Sequence, residues 1–281
     1  MYMDKIIIFI LLMALLLITR ASYQTEQFDS KPYLFVYWEN INGASMPDYI
    51  KWCRTTLKKH CLKSFNIVEL DDKNIHKYLP NLPQFPNGLK VQHRVDYYRI
   101  MLLMKYGGLY LDSDIIVMRD PIEIIKKLDD YDFVGFGCTG ETCTNGYMRP
   151  SNAIMASRKN GILIQNVLAN LDDRLKTIDN FGYFDLGKYP IWIELDKLGP
   201  KYKYYHYDNS YDGTRDKHGK WVFNDRLFSS KPIDYLFKPD DMLFVMVYNS
   251  ELPNDIKKMR LEDLVGTNFY KYIAHSLNTQ V

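Results

Sequence analysis

Asp112 and Asp114 stand two apart near the end of the stretch His93–Asp120, HRVDYYRIMLLMKYGGLYLDSDIIVMRD. At strand spacing both carboxylates fall on one side, roughly 6–7 Å apart. Two carboxylates at a strand end suit a hard divalent cation that also holds phosphate oxygens, which is the chemistry of a nucleotide-sugar site. Upstream, Asp96 and Arg99 are three apart on a predicted helix and share a face. There they can accept and donate hydrogen bonds to sugar hydroxyls or phosphate. Each pair alone has a plainer reading. A D-x-D arises by chance in a chain with 34 acidic residues, and an exposed Asp–Arg helix pair is worth only roughly 0.2–0.5 kcal/mol. The order of the pairs around Gly107-Gly108 is what makes a site credible.

The elements that must position these groups follow from spacing. Val95, Tyr98, Leu102 and Tyr106, with Met101 filling the stripe, predict a helix. Gly107 and Gly108 end it, because glycine accepts the left-handed conformation of helix C-termini. Leu109, Tyr110 and Leu111 read as a short buried strand, and Ile115–Met118 as its continuation to Pro121. Earlier, Tyr33–Trp38 is a first core strand, Pro47 opens a helix, Phe65–Leu70 is a second strand, and the prolines and glycine within Asp71–Leu89 make a loop. Later, Tyr131–Gly137 and Asn152–Ser157 read as strands and Asn160–Leu175 as a helix. Strands alternating with helices predict an α/β domain with a largely parallel sheet. In such sheets ligands sit at the carboxyl ends of the strands, where both Trp38 and Asp112–Asp114 fall. Phe181–Asp240 is Tyr-rich and weakly periodic. Within it Ile191–Leu198 suggests a helix; after it Met242–Tyr248 suggests a strand, and Asp255–Leu264 and Thr267–Leu277 terminal helices.

Composition sets outer bounds. The 281 residues carry 36 basic and 34 acidic side chains without a like-charge block, so no nucleic-acid partner is indicated. Lys5 precedes the apolar run Ile6–Ile18, whose 13 residues span roughly 20 Å as a helix, short of the hydrocarbon core. Residues 1–22 therefore read as a signal peptide or as an uncleaved signal anchor, with a buried core helix the plainer alternative. Either leading reading sends the chain through the secretory pathway, into the endoplasmic reticulum or Golgi lumen, membrane-anchored or secreted. Cys138 and Cys143 flank a turn-prone loop and are the best local disulfide pair. Cys53 and Cys61, eight apart on a helix, are about 12 Å apart and too far to bridge. The cysteines lack zinc-site spacing.

The central stretch resembles the DXD-motif glycosyltransferases of the capsular-polysaccharide-synthesis and Och1-like mannosyltransferase group. Their pattern is a helix ending S-D-x-x-R and then L-x-x-x-G-G-x-Y-x-D-x-D, matched here by Asp96, Arg99, Gly107, Gly108, Tyr110, Asp112 and Asp114. The N-terminal YWEN and the segment NAIMAS, which carries Asn152, are similar as well, so the likeness covers Tyr33–Leu175. Val95 stands where the family usually has Ser, and His275-Ser276-Leu277 lacks the Trp of the family's late metal-side motif. The resemblance implies a GT-A, Rossmann-like nucleotide-diphosphosugar transferase fold with a UDP-sugar or GDP-mannose donor, Mn²⁺ or Mg²⁺, and retention of anomeric configuration. By position it implies Asp112 and Asp114 at the metal, and Asp96 and Arg99 on the donor sugar. It places Tyr110 at the diphosphate, Tyr37 and Trp38 near the base, and Asn152 facing donor sugar or acceptor. The expected organisation is a 23–31 spacer and one domain over 32–281, with 32–175 on the donor and metal side and 176–281 on the acceptor side. The acceptor is a glycan, lipid or protein hydroxyl. A non-catalytic lumenal glycan- or nucleotide-sugar-binding protein on the same fold is the alternative, against which the intact aspartate pair argues. A nucleotidyltransferase would want a Gly-rich phosphate loop near the N-terminus, and none is found.

Overall fold

A computed structural model describes residues 31–138 and 149–278. The N-terminal apolar run and Cys143, and with it the Cys138/Cys143 pairing, lie outside these residues. Among the described residues no helix is long and apolar enough to cross a membrane.

The strands are β1 (Tyr33–Tyr37), β2 (Asn66–Leu70), β3 (Gly108–Leu111), β4 (Ile115–Val117), β5 (Phe133–Cys138), β6 (Arg149–Ser157), β7 (Tyr205–Asp208) and β8 (Phe244–Met246). The five longer helices are α1 (Asp48–Cys61), α2 (Val91–Tyr106), α3 (Ile162–Thr177), α4 (Lys188–Leu198) and α5 (Asn268–Leu277). Six strands form one sheet in the order β2-β1-β3-β6-β5-β7. β1 runs parallel to β2 and β3, β5 runs parallel to β7, and β6 is antiparallel to both β3 and β5. Every strand but β6 therefore points the same way. This is the expected α/β arrangement, a mostly parallel sheet flanked by helices.

Side chains alternate across the sheet with the period of two that a strand imposes. Phe35, Tyr37 and Tyr110 face a core with α2, α3 and α4. Leu34, Val36, Leu109 and Leu111 face the opposite core, which holds Leu57 and Cys61 of α1 together with β4 and β8. Helix α5 joins α1 in a third cluster through Phe269 and Ile273. Cys53 and Cys61 are buried free thiols on α1, as their spacing requires.

Three local expectations change. Helix α2 is buried nearly all round, at His93, Asp96, Tyr97, Tyr98, Arg99, Ile100, Leu102 and Leu103, because it lies between the sheet and α3. A single apolar stripe undercounts that burial. Asp112–Asp114 is a turn rather than strand, and the run that follows it, β4, leaves the main sheet to pair antiparallel with β8. The predicted helix Asp255–Leu264 is two shorter pieces, Asn254–Lys258 and a 3₁₀ turn at Leu261–Leu264. The glycine pair does what its position predicts. Gly107 and Gly108 have φ of +67° and +100°. A Cβ on Gly108 would stand 2.3 Å from the Tyr33 carbonyl oxygen, and one on Gly107 2.7 Å from the Lys159 nitrogen. Only glycine lets the chain leave α2 and enter β3 this close to β1.

Candidate active site

The carboxyl ends of β1 and β3 lie side by side, and α2 presents Asp96 and Arg99 beneath them. Both side chains are buried, at 6% exposure each, so the exposed helix salt bridge is not what forms. Arg99 Nη2 lies 3.1 Å from Asp96 Oδ1, and Nη1 lies 3.1 Å from Asp112 Oδ1. Nη1 also donates to the Asn152 carbonyl, and Nε donates to the Val95 carbonyl at 3.4 Å. The guanidinium carbon stands 4.8 Å from the centroid of the Tyr110 ring. Asn152 Nδ2 donates to Asp96 Oδ1 at 2.7 Å. Asp96, Arg99, Tyr110, Asp112 and Asn152, drawn from α2, β3, the turn after it and β6, thus form one connected group.

The turn fixes the aspartates. Ser113 is buried between them and donates Oγ–H to the Tyr37 carbonyl at 2.7 Å, while Arg54 donates to Ser113 Oγ at 3.3 Å. Asp112 N–H donates to the Ala153 carbonyl at 2.9 Å, and the Asp114 carbonyl accepts from Val247 at 3.0 Å. Asp114 Oδ2 accepts the Asn249 backbone N–H at 2.9 Å. Asp112 and Asp114 stay half-buried while Ser113 points inward, so the turn delivers the same sidedness that a strand would. Burial raises the Asp112 carboxyl above the usual range, with Arg99 opposing. Burial and then the Asp112 charge push Asp114 up to about 7. Asp96 also reaches about 7, through burial, with Arg99 the main opposing influence.

These groups fit a hard divalent cation. Arg99 holds Asp112 at Oδ1 and the Asn249 N–H holds Asp114 at Oδ2, and two neighbouring carboxyls with raised affinity for protons gain from a cation between them. No cluster of three His, Cys, Asp or Glu occurs among the described residues. Magnesium-like ions need no such cage, since one or two carboxylates, donor phosphates and water complete their shell. The Tyr110 hydroxyl is buried without a partner, leaving a donor beside Arg99 for an incoming oxygen.

Tyr37 and Trp38 part company. Tyr37 lines a cleft of about 520 Å³ with Glu39, Asp72, Phe85, Arg94 and Tyr98. Its hydroxyl donates to Glu39 at 2.8 Å, and Glu39 is gripped by Arg94 Nη2 at 2.8 and 2.9 Å. Trp38 packs instead into the α1/α5 core, and its Nε1 donates to Asn40 at 3.1 Å. His275 lies on α5 with its Nε2 2.7 Å from Asp240 and is not joined to the aspartates. His93 is buried and its ring stands 5.7 Å from that of Phe181; burial lowers its pKa.

Two further residues complete the site. A Cβ on Gly187, just before α4, would lie 2.8 Å from Asn152 Nδ2 and 3.0 Å from Asp96 Oδ2, so the backbone itself closes that side. Asn249 holds Asp114, and its side chain accepts from the Tyr49 hydroxyl. Gly187 sits in the weakly periodic Phe181–Asp240 and Asn249 just past the Met242–Tyr248 run, and spacing carries no signal for either.

Among known proteins, the family model described as "Capsular polysaccharide synthesis protein" matches residues 14–184. No curated protein matches the chain. Similar solved structures include the PaToxG glycosyltransferase, at 18% identity and TM-score 0.45, covering 61% of this chain and 70% of that one. The galactosyltransferase LgtC, in complex with donor and acceptor sugar analogs, has 13% identity and TM-score 0.44, covering 88% and 96%. The apo glycosyltransferase GlyE of Streptococcus pneumoniae TIGR4 has 14% identity and TM-score 0.41, covering 66% and 46%. The chain thus spans about half the length of GlyE.

Proposed function

The chain belongs to the capsular polysaccharide synthesis protein family and is a glycosyltransferase; we propose that it moves a hexose from a nucleotide-diphosphosugar to a hydroxyl of a glycan, with retention of configuration and with Mn²⁺ or Mg²⁺. The observation that carries this reading is the single hydrogen-bonded group of Asp96, Arg99, Asn152 and Asp112 at the carboxyl ends of β1 and β3. It ends at Asp112, with the Asp114 carboxylate two residues on.

Asp112 and Asp114 would hold the cation. When bound, it neutralises the diphosphate and stabilises it as a leaving group. The remaining work belongs to the chain. Arg99, fixed by Asp96 and Asp112, offers charge to the donor without needing to reorganise. Asp96 and Asn152 orient the sugar through its hydroxyls, and the Tyr110 hydroxyl supports the diphosphate. The cleft beside Tyr37 takes the nucleoside, where the Phe85 and Tyr98 rings stand 5.8 Å apart and offer an aromatic face to a base. Whether the donor carries uridine or guanosine is decided there. Passage through a secretory lumen, with the apolar run Ile6–Ile18 as signal or anchor, belongs to the same reading.

The test is a donor panel. The purified protein, incubated with UDP- and GDP-sugars, is expected to hydrolyse one of them with Mn²⁺ or Mg²⁺ and to stop on addition of EDTA. Hydrolysis of none, across the panel and both metals, overturns the proposal. Anomer-resolved NMR of the transfer product checks retention.

A further inference from the structure

Trp221 and Phe223 are 42% and 39% exposed, although most large rings among the described residues are buried or half-buried. Their planes lie within 21° of each other with centroids 5.8 Å apart, so the two rings run roughly parallel and form one aromatic patch. The surface is rigid. Arg215 pairs with Trp221 in an antiparallel bridge, and its guanidinium carbon sits 3.9 Å from the Trp221 ring centroid. Arg215 Nη1 is in turn held by the Gly219 carbonyl at 2.6 Å.

The surface is also tied to the donor site. The Phe223 ring stands 5.5 Å from that of Tyr248. Asn224, next in sequence, grips the Tyr248 backbone from both sides, donating to its carbonyl at 2.7 Å and accepting its N–H at 3.2 Å. The following residue, Asn249, donates to Asp114. Two hydrogen-bonded steps therefore connect the exposed rings to the carboxylate assigned to the metal.

We infer that Trp221 and Phe223 form the platform on which a pyranose ring of the acceptor glycan stacks. This deepens the transferase reading above and rests on it. A pyranose has a face of C–H groups that packs on an aromatic ring, and hydroxyls around its edge that need polar neighbours. The rings are bordered by exposed Lys220 and Asp225, which meet that second need. A protein contact would call for a wider apolar patch than two rings. The rings sit in Phe181–Asp240, within the part of the chain expected on the acceptor side.

The purified protein is screened on an array of neutral and acidic glycans, and the best binder is titrated by calorimetry. Trp221→Ala is expected to weaken binding by about tenfold or more, and Trp221→Phe by no more than about threefold, since a ring remains. Should Trp221→Ala unfold, Trp221→Leu keeps apolar bulk without a ring and is expected to show the same loss. The inference is overturned if Trp221→Ala or Trp221→Leu binds as the unaltered protein does. It is equally overturned if the unaltered protein binds no glycan on the array, or prefers phospholipid vesicles or peptides. Metal-dependent donor hydrolysis without acceptor, measured in parallel on the unaltered protein, separates the two readings. Its absence sinks the transferase proposal, while Trp221-dependent glycan binding reports on the platform alone.

Discussion

The Arg99 guanidinium stands 3.1 Å from the Asp112 carboxylate, and the same group stands 3.1 Å from Asp96. One cation thus serves two acids and the Val95 carbonyl through separate nitrogens. A lysine is a point charge and cannot reach all three. Arg99→Lys is expected to fold but to lower the rate of donor hydrolysis at least about 100-fold, of the order seen when one preorganised donor is lost. Arg99→Ala leaves two carboxylates without their partner and is expected to cost about 3–5 kcal/mol in urea unfolding. Wild-type turnover in Arg99→Lys would show that charge alone, not the fork, is what the site uses.

Asp114 Oδ2 is held by a backbone N–H from across the fold, that of Asn249. Asp114→Ala is expected to abolish Mn²⁺-dependent hydrolysis and to keep the fold, because it also removes a carboxyl held in a repulsive site. Electron paramagnetic resonance of Mn²⁺ titrated into the variant checks the ligand role directly. Metal binding as tight as in the unaltered protein assigns the metal elsewhere.

Gly187 works by lacking a side chain. In Gly187→Ala the new Cβ meets Asn152 Nδ2 at 2.8 Å and Asp96 Oδ2 at 3.0 Å, so the Asp96–Asn152 pair must shift. Such overpacking costs typically about 1–3 kcal/mol, and the misplaced pair is expected to lower donor turnover by about tenfold or more. Gly199→Ala is the control. Its φ of +69° strains an alanine, but nothing lies within 4 Å of the added carbon. It is expected to lose stability and keep turnover. Equal turnover in both variants removes Gly187 from the site.

These cases show what spacing reveals and what it leaves out. Asp96, Arg99, Gly107, Gly108 and Asp112 are legible because helix, break and turn are local and follow one another in the chain. Asn152 came into view through the NAIMAS resemblance rather than through its spacing. The burial of Asp96 and Arg99 was not legible, because an i,i+3 spacing is silent about what packs over the helix. Asn249 reaches Asp114 across 135 positions, and Gly187 meets Asp96 from a segment without clear periodicity. Contacts of that kind are made by the tertiary fold alone. The reversal of β6 and the departure of β4 from the main sheet are hidden for the same reason. Apolar alternation marks a strand without giving its direction or its partner.

Asp212 gives the chain a pH dependence that lies outside the site. It is fully buried and accepts from Thr214 N at 3.0 Å, Thr214 Oγ at 2.6 Å and Asn209 Nδ2 at 2.9 Å. Burial outweighs these donors and pushes the carboxyl up to about 7 from an ordinary 3.8. Between those values the folded chain holds a proton that the unfolded chain has released. Stability from this group is therefore complete below about pH 4 and is lost as pH rises through about 7. Asp212→Asn is uncharged throughout and keeps an oxygen for Thr214. It is expected to flatten the fall in Tm of the metal-free protein across that window, most visibly near neutral pH. Parallel Tm–pH curves for the two proteins would mean that Asp212 is ionised in the fold and that its three donors win over burial.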